Sequence, residues 1–349
     1  MQNNISNRFC TRPFEFIEVN ERQEVYSCCS GWLPKAIGNL RNSEEVDDIW
    51  NSNAAKEIRR SILDGSFRYC KHNECPHIGN NSLPYKRDIT APHLLDAITR
   101  NDGFMAVAPK IIGLSYDRTC NLACPSCRNT FITLNDNEWL EKCNVQSKIF
   151  ASISNDTRLL IITGSGDPFA SKLYRELLQS FEFSKYPNLK IHLMTNGQLL
   201  TPFMWANIAN AHNAIDSIQI SIDAASKKTY NQLRLGGSFD KLLSNLGFIS
   251  TIKREKKLKF VSIEFVVQKG NFQEMKEFIN MGISFNCDRI GFASIRNWGT
   301  FSNEVYDELA IHKVDHPDHK KLIKMLQDSV FQEPIVDLGN LTTLLAKAN

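Results

Sequence analysis

The sequence predicts an α/β protein. Six strand-and-helix units in series form either an incomplete barrel or an open doubly wound parallel sheet, behind a small cysteine-rich segment of mixed α and β character. Three observations carry this reading. From residue 110 onward, short runs rich in Ile, Val and Phe alternate with longer amphipathic runs. Cys120, Cys124 and Cys127 stand in C-x3-C-x2-C spacing directly after the first of those apolar runs. Five further cysteines, Cys10, Cys28, Cys29, Cys70 and Cys75, crowd the first 75 residues.

Taken in order, 15–19 alternates apolar and polar residues, and 25–29 reads as a strand returning beside it. Residues 37–40 and 49–52 lead into a helical stretch. Strands are then expected at 111–116, 158–163, 190–195, 217–223, 260–268 and 289–295, with helices between them at 138–152, 171–181, 202–210, 241–253 and 272–280. Asn271 followed by Glu274 predicts a capping box for the last of these helices. In both candidate architectures ligands gather at the carboxyl ends of the strands, so the residues just after each strand carry the functional argument.

Composition excludes several classes. With 41 basic and 38 acidic residues the net charge is +3, which makes no case for a polyanionic partner. Residues 1–10 lack an apolar signal core, and no apolar stretch is long enough to span a bilayer, so the expectation is a soluble, cytoplasmic protein without a membrane partner. Ten cysteines in 349 residues without a signal peptide read as metal ligands in a reducing compartment rather than as disulfides. Cys143, within a predicted helix, and Cys287, at the wrong end of its strand, read as core thiols.

Three thiolates on one short loop can hold three irons of a four-iron cube and leave the fourth open to a ligand that is not protein. Zinc would want a fourth nearby ligand, and no His lies between Cys120 and Cys127. The motif after its strand resembles that of the radical S-adenosylmethionine (SAM) enzymes. The resemblance implies a [4Fe-4S] cluster whose open iron binds SAM, and reductive cleavage of SAM to a 5′-deoxyadenosyl radical. It also implies a partial (β/α)6 barrel of the radical SAM type over 101–300 and a helical C-terminal extension over 301–349.

The resemblance extends to the cofactor. Gly164, Ser165, Gly166 and Asp167 follow the second strand where the family carries its Gly-Gly-Glu-Pro motif, implying backbone contacts to the amino group of SAM. A dinucleotide fingerprint is the rival, but the next strand ends in Thr195-Asn196-Gly197 rather than in an acidic residue, and that turn fits the same family, implying that Thr195 and Asn196 also meet SAM. Ser221 and Asp223 then stand where relatives meet the ribose of SAM, and Arg234 where they reach its carboxylate. Ser126 replaces the aromatic residue often found before the third cysteine, which shifts expected adenine packing to Val266 and Val267.

Cys10, Cys28, Cys70 and Cys75 could saturate a second four-ligand site over 1–100. This resembles the SPASM/twitch auxiliary module of radical SAM enzymes, here placed before the core instead of after it. A zinc ribbon remains open on ligand type alone. Cys28 and Cys29 point to opposite faces of a strand, so one should ligate; Cys28 is the expectation, with Cys29 as a thiol donor. An auxiliary cluster suits removal of a second electron. The resemblance therefore implies dehydrogenation or bond formation, with peptide maturation or thiol-assisted epimerisation as alternatives, and an electron donor such as flavodoxin or ferredoxin. The stretch ahead of the module does not read as a leader-peptide-binding domain, which tilts the expected substrate toward a small polar or carbohydrate-like molecule. A non-catalytic iron–sulfur or zinc protein is the reading from another class. Ser294, Arg296, Asn297 and Trp298, at the end of the sixth strand, are placed to meet a polar substrate.

Overall fold

Ten strands form among the described residues, 5–346, of the computed structural model. Residues 1–4 of the expected N-terminal module and 347–349 of the expected C-terminal extension lie outside them. The chain divides into two compact units. The first comprises the described residues up to Arg118 with Leu134–Ser165 and Glu182–Ile191; the second comprises Thr119–Thr133, Gly166–Phe181 and the described residues from His192 on.

In the first unit β1 (Phe16–Asn20) turns back antiparallel into β2 (Glu24–Tyr26), which pairs with β3 (Gly38–Asn39). The Asn20 carboxamide oxygen accepts from the Arg22 and Glu24 amides at 3.0 Å, the side-chain mimic of a turn that Asn supplies. On its other edge β1 pairs in parallel with β4 (Ile111–Ser115), from Phe16 beside Ile111 to Asn20 beside Ser115, and β4 pairs in parallel with β5 (Leu159–Ile162). The N-terminal segment therefore contributes a strand to the parallel sheet. The helix Asn53–Leu63 starts at Ser52, whose hydroxyl accepts from the Ala55 amide at 3.1 Å. From it, the buried Arg59 guanidinium lies 3.9 Å over the Trp50 ring and donates to the carbonyls of Pro13 (2.8 Å) and Gly103 (3.1 Å), fastening three separate stretches of the unit.

β6 (Lys190–Thr195) begins in the first unit and ends in the second, where β7 (Ile215–Ser221), β8 (Phe260–Val267), β9 (Arg289–Ser294) and β10 (Val336–Asp337) follow in spatial order. β7 to β10 pair in parallel, and apolar residues such as Ile218, Ile220, Val261, Ile263, Phe265 and Phe292 are buried. Helices Lys172–Ser180, Pro202–Asn207, Phe239–Arg254 and Met275–Ser284 occupy the crossover positions, which is the architecture of a partial β/α barrel.

Two sequence expectations are corrected. The returning strand β2 ends at Tyr26, so Cys28 and Cys29 lie beyond it and strand alternation does not choose between them. Asn271 makes no capping box with Glu274. Its oxygen accepts from the Gln268 amide (2.8 Å), and its nitrogen donates to the carbonyls of Asp223 and Val266 (both 2.9 Å). Glu274 instead accepts from the Ala225 and Ser226 amides (2.7 and 3.0 Å) and the Ser226 and Thr229 hydroxyls, holding the start of the helix Lys227–Leu233. The Asn-x-x-Glu pattern that does make a capping box is Asn135 with Glu138, and it sets the start of the helix Asp136–Ala151 two residues before the expected 138.

Candidate cluster and cofactor site

The cysteine loop belongs to the second unit. The Cys120 amide donates to the Ile132 carbonyl (3.1 Å), while the Cys127 and Arg128 amides both donate to the Cys124 carbonyl (2.9 Å), coiling 124–128 into one helical turn. Cys120 and Cys124 are buried around Leu122 with Cys127 packed against them, so the three cysteines form one packed group. The segment after Arg234 closes over the loop: the Ala123 amide donates to the Leu235 carbonyl at 3.0 Å. Gly236, at φ +90°, is required there because a Cβ would stand 2.8 Å from the Phe131 ring.

Each loop thiol meets a nitrogen donor. The Leu122 amide (3.4 Å) and Asn196 Nδ2 (3.7 Å) donate to Cys120 Sγ, Arg234 Nη1 to Cys124 Sγ (3.7 Å), and Arg128 Nη2 to Cys127 Sγ (3.3 Å). Burial pushes the Cys120 and Cys124 thiols up, opposed by the positive charge of Arg128 on the first and of Arg234 on the second. Against its own burial, Arg234 is held charged by Asp223, Cys124 and Tyr230. Three thiols that must become thiolates, with two fixed cations beside them, are a donor set that fits a cubane cluster.

Asp167 organises the neighbouring turn. Fully buried at 0% exposure, its carboxylate accepts from Thr195 Oγ1 (2.7 Å) and from the amides of Asn196 (2.9 Å), Phe169 (3.0 Å) and Ala170 (3.3 Å), while its own amide donates to the Thr119 carbonyl (2.9 Å). Thr195 and Asn196 are thus fixed at the end of β6, and Asn196 Nδ2 also donates to Asn121 Oδ1 (2.9 Å). Gly164 and Ser165, which close the preceding segment of the first unit, are held there: the Gly164 amide donates to Ser115 Oγ (3.4 Å) and Ser165 Oγ to the Ser115 carbonyl (2.8 Å). Gly166 directly precedes Asp167 in the second unit.

Asp223, at φ +64°, is also committed to protein partners. One oxygen accepts from the Val266 amide (2.8 Å) and the other lies 2.8 Å from Arg234 Nη2. Ser221, half-buried, ends β7 two residues earlier. Val267 is fully buried, while Val266 is partly exposed. At the end of β9, Ser294 exchanges hydrogen bonds with Asn340 (3.0 and 2.7 Å) and Asn297 caps its own turn through the Gly299 amide (2.9 Å), leaving Trp298, 60% exposed, as the open group. Gln198 and Asn121 escaped sequence reasoning: Gln198 Nε2 donates to Tyr230 Oη and to the Ser238 carbonyl (both 2.9 Å), tying the turn after β6 to the helix that presents Arg234. Neither carries a sequence signal of its own.

In the first unit the four remote cysteines come into electrostatic reach of one another. Burial pushes Cys10 up to about 11 and Cys70 up to about 12; Cys75 raises both, and Cys10, Cys29 and Cys70 raise Cys28. The Lys71 amide donates to the Trp32 carbonyl (2.7 Å), joining the stretch after Cys29 to the one after Cys70. Among the described residues no three His, Cys, Asp or Glu side chains converge to the spacing of a single metal ion. Cys287 is buried, and burial pushes its thiol up to about 12; Cys143 lies half-buried in its helix. No helix of the described residues is long and apolar enough to cross a membrane.

A family model for the radical SAM superfamily matches residues 114–282, and one for an iron–sulfur cluster-binding domain, SPASM, matches residues 10–76. No curated protein matches the chain. Among solved structures, Streptococcus suis SuiB bound to precursor peptide SuiA is similar at 16% identity and TM-score 0.47, over 90% of this chain and 70% of that one. SuiB bound to S-adenosylmethionine is similar at 18% identity and TM-score 0.45, over 70% of this chain and 49% of that one, so this chain spans about half its length. Native anSMEcpe with bound AdoMet is similar at 17% identity and TM-score 0.43, over 65% and 62%.

Proposed function

The chain belongs to the radical SAM superfamily and carries an iron–sulfur cluster-binding module ahead of its core, and on that premise we propose that it is an oxidising enzyme acting on a small polar substrate. A [4Fe-4S] cluster and SAM are the cofactors of the core, with an auxiliary iron–sulfur cluster in the N-terminal module. When bound, they supply a reductively generated 5′-deoxyadenosyl radical able to take hydrogen from an unactivated carbon. The observation that carries the reading is the packing of Cys120, Cys124 and Cys127 into one group with Arg128, Arg234 and Asn196 aimed at their sulfurs.

Cys120, Cys124 and Cys127 hold the core cluster, and Cys10, Cys28, Cys70 and Cys75 the auxiliary one. The backbone from Gly164 through Asp167, with Ser221, meets SAM. Thr195, Asn196, Asp223 and Arg234 and the Asp167 carboxylate act by fixing those elements, since their polar atoms already have protein partners. A polar substrate is supported by the groups at the carboxyl end of β9, where Ser294 and Asn297 lie beside the exposed Trp298. The electron donor is a small reductant of the flavodoxin or ferredoxin kind.

The test is anaerobic. Protein reconstituted with iron and sulfide, given SAM and dithionite, should release 5′-deoxyadenosine, and replacing Cys120, Cys124 and Cys127 with Ala should abolish it while roughly half the iron stays, if each site holds one four-iron cube. Full iron retention in that variant would refute the two-cluster assignment. With substrates offered in parallel, turnover of a polyol or amino sugar supports the reading; turnover of peptides alone replaces it with peptide maturation.

A further inference from the structure

The nitrogen donors around the loop thiols come from three different elements: Asn196 from the end of β6, Arg234 from just beyond the helix Lys227–Leu233, and Arg128 from the loop itself. Two are guanidinium groups. A cube held by three thiolates becomes one charge more negative on reduction, so a fixed cation or N–H dipole beside its ligand sulfurs favours the reduced form, more strongly where water is excluded. Arg234 Nη2 lies 2.8 Å from Asp223 Oδ2, so a buried carboxylate offsets much of its charge, while Arg128 Nη2 lies 3.3 Å from Cys127 Sγ.

We propose that Arg128, Arg234 and Asn196 are positioning residues that set the reduction potential of the core cluster through its three ligand sulfurs, with Asp223 limiting how much of the Arg234 charge is felt there. The inference rests on the cluster assignment above and goes beyond it by giving Asp223 and Arg234 opposed roles toward one cofactor.

The experiment is an EPR-monitored redox titration of the reconstituted full chain, following the signal that the Cys120, Cys124 and Cys127 triple Ala variant lacks. Arg128→Gln is expected to lower the reduced-to-oxidised ratio at a fixed poise by about tenfold, equivalent to about 59 mV for one electron. Arg234→Gln should shift it in the same direction, and Asp223→Asn should shift it the opposite way. Mere loosening of the site would move Arg234→Gln and Asp223→Asn together, so opposite signs separate charge from structure. Where a Gln variant fails to hold iron, Arg128→Lys and Arg234→Lys carry the test, and a ratio near that of the unsubstituted chain supports the proposal. A ratio unmoved by all three substitutions, or raised by neither side of the pair, overturns it. Absence of the signal from the unsubstituted chain would instead overturn the cluster assignment.

Discussion

The loop cysteines of the second unit and the scattered cysteines of the first meet different physical conditions. Cys120, Cys124 and Cys127 lie within eight residues on a coiled loop, each beside an N–H donor. Cys10, Cys28, Cys70 and Cys75 come from three distant stretches, and burial together with mutual repulsion keeps Cys10, Cys28 and Cys70 protonated, with Arg12 the opposing charge at Cys10 and Cys28. The loop thiols therefore have donors in place, whereas on the proposed assignment the scattered thiols must lose their protons to bind metal, which would couple metal binding there to the folding of the first unit.

That contrast can be broken or sharpened in order of effect. Replacing Cys10, Cys28, Cys70 and Cys75 together with Ala should remove roughly half the iron and abolish substrate oxidation, yet leave 5′-deoxyadenosine formation in place, as iron analysis and product assay would show. Loss of both activities would mean that the two sites are not independent. Asp167→Ala strips the acceptor from four buried donors and should cost on the order of 3 kcal/mol in the melting of the metal-free protein, with weaker iron uptake by the loop. Gly236→Ala forces a side chain into φ +90° against Phe131 and should cost about 1–3 kcal/mol, read in the same melt. Ser52→Ala removes the cap of the helix Asn53–Leu63 in the first unit and should cost about 1 kcal/mol, with iron at the loop unchanged.

Much of the core was legible because its signals are local. All six expected strands form, the Lys190–Thr195 strand with identical bounds, where buried Ile191, Leu193 and Thr195 alternate with half-buried residues in the period of a strand. The three cysteines were legible because their spacing holds them on one loop. What escaped was three-dimensional. Nothing in 16–20 says that it will pair in parallel with 111–115. Asn135 and Asn271 carry the same Asn-x-x-Glu pattern, yet only the first caps its helix, because Asn271 is claimed by the end of β8 and Glu274 by another helix. Asp223 and Arg234 were visible as a carboxylate and a cation in the expected order, but not as partners of each other.

The most direct test of the central claim uses the variant lacking Cys10, Cys28, Cys70 and Cys75, in which one cluster should remain. Reduced under argon, it should give a cubane EPR spectrum that changes when SAM is added, because the iron without a cysteine accepts it as a ligand. A spectrum indifferent to SAM, or a protein that takes up zinc and no iron, would contradict the account.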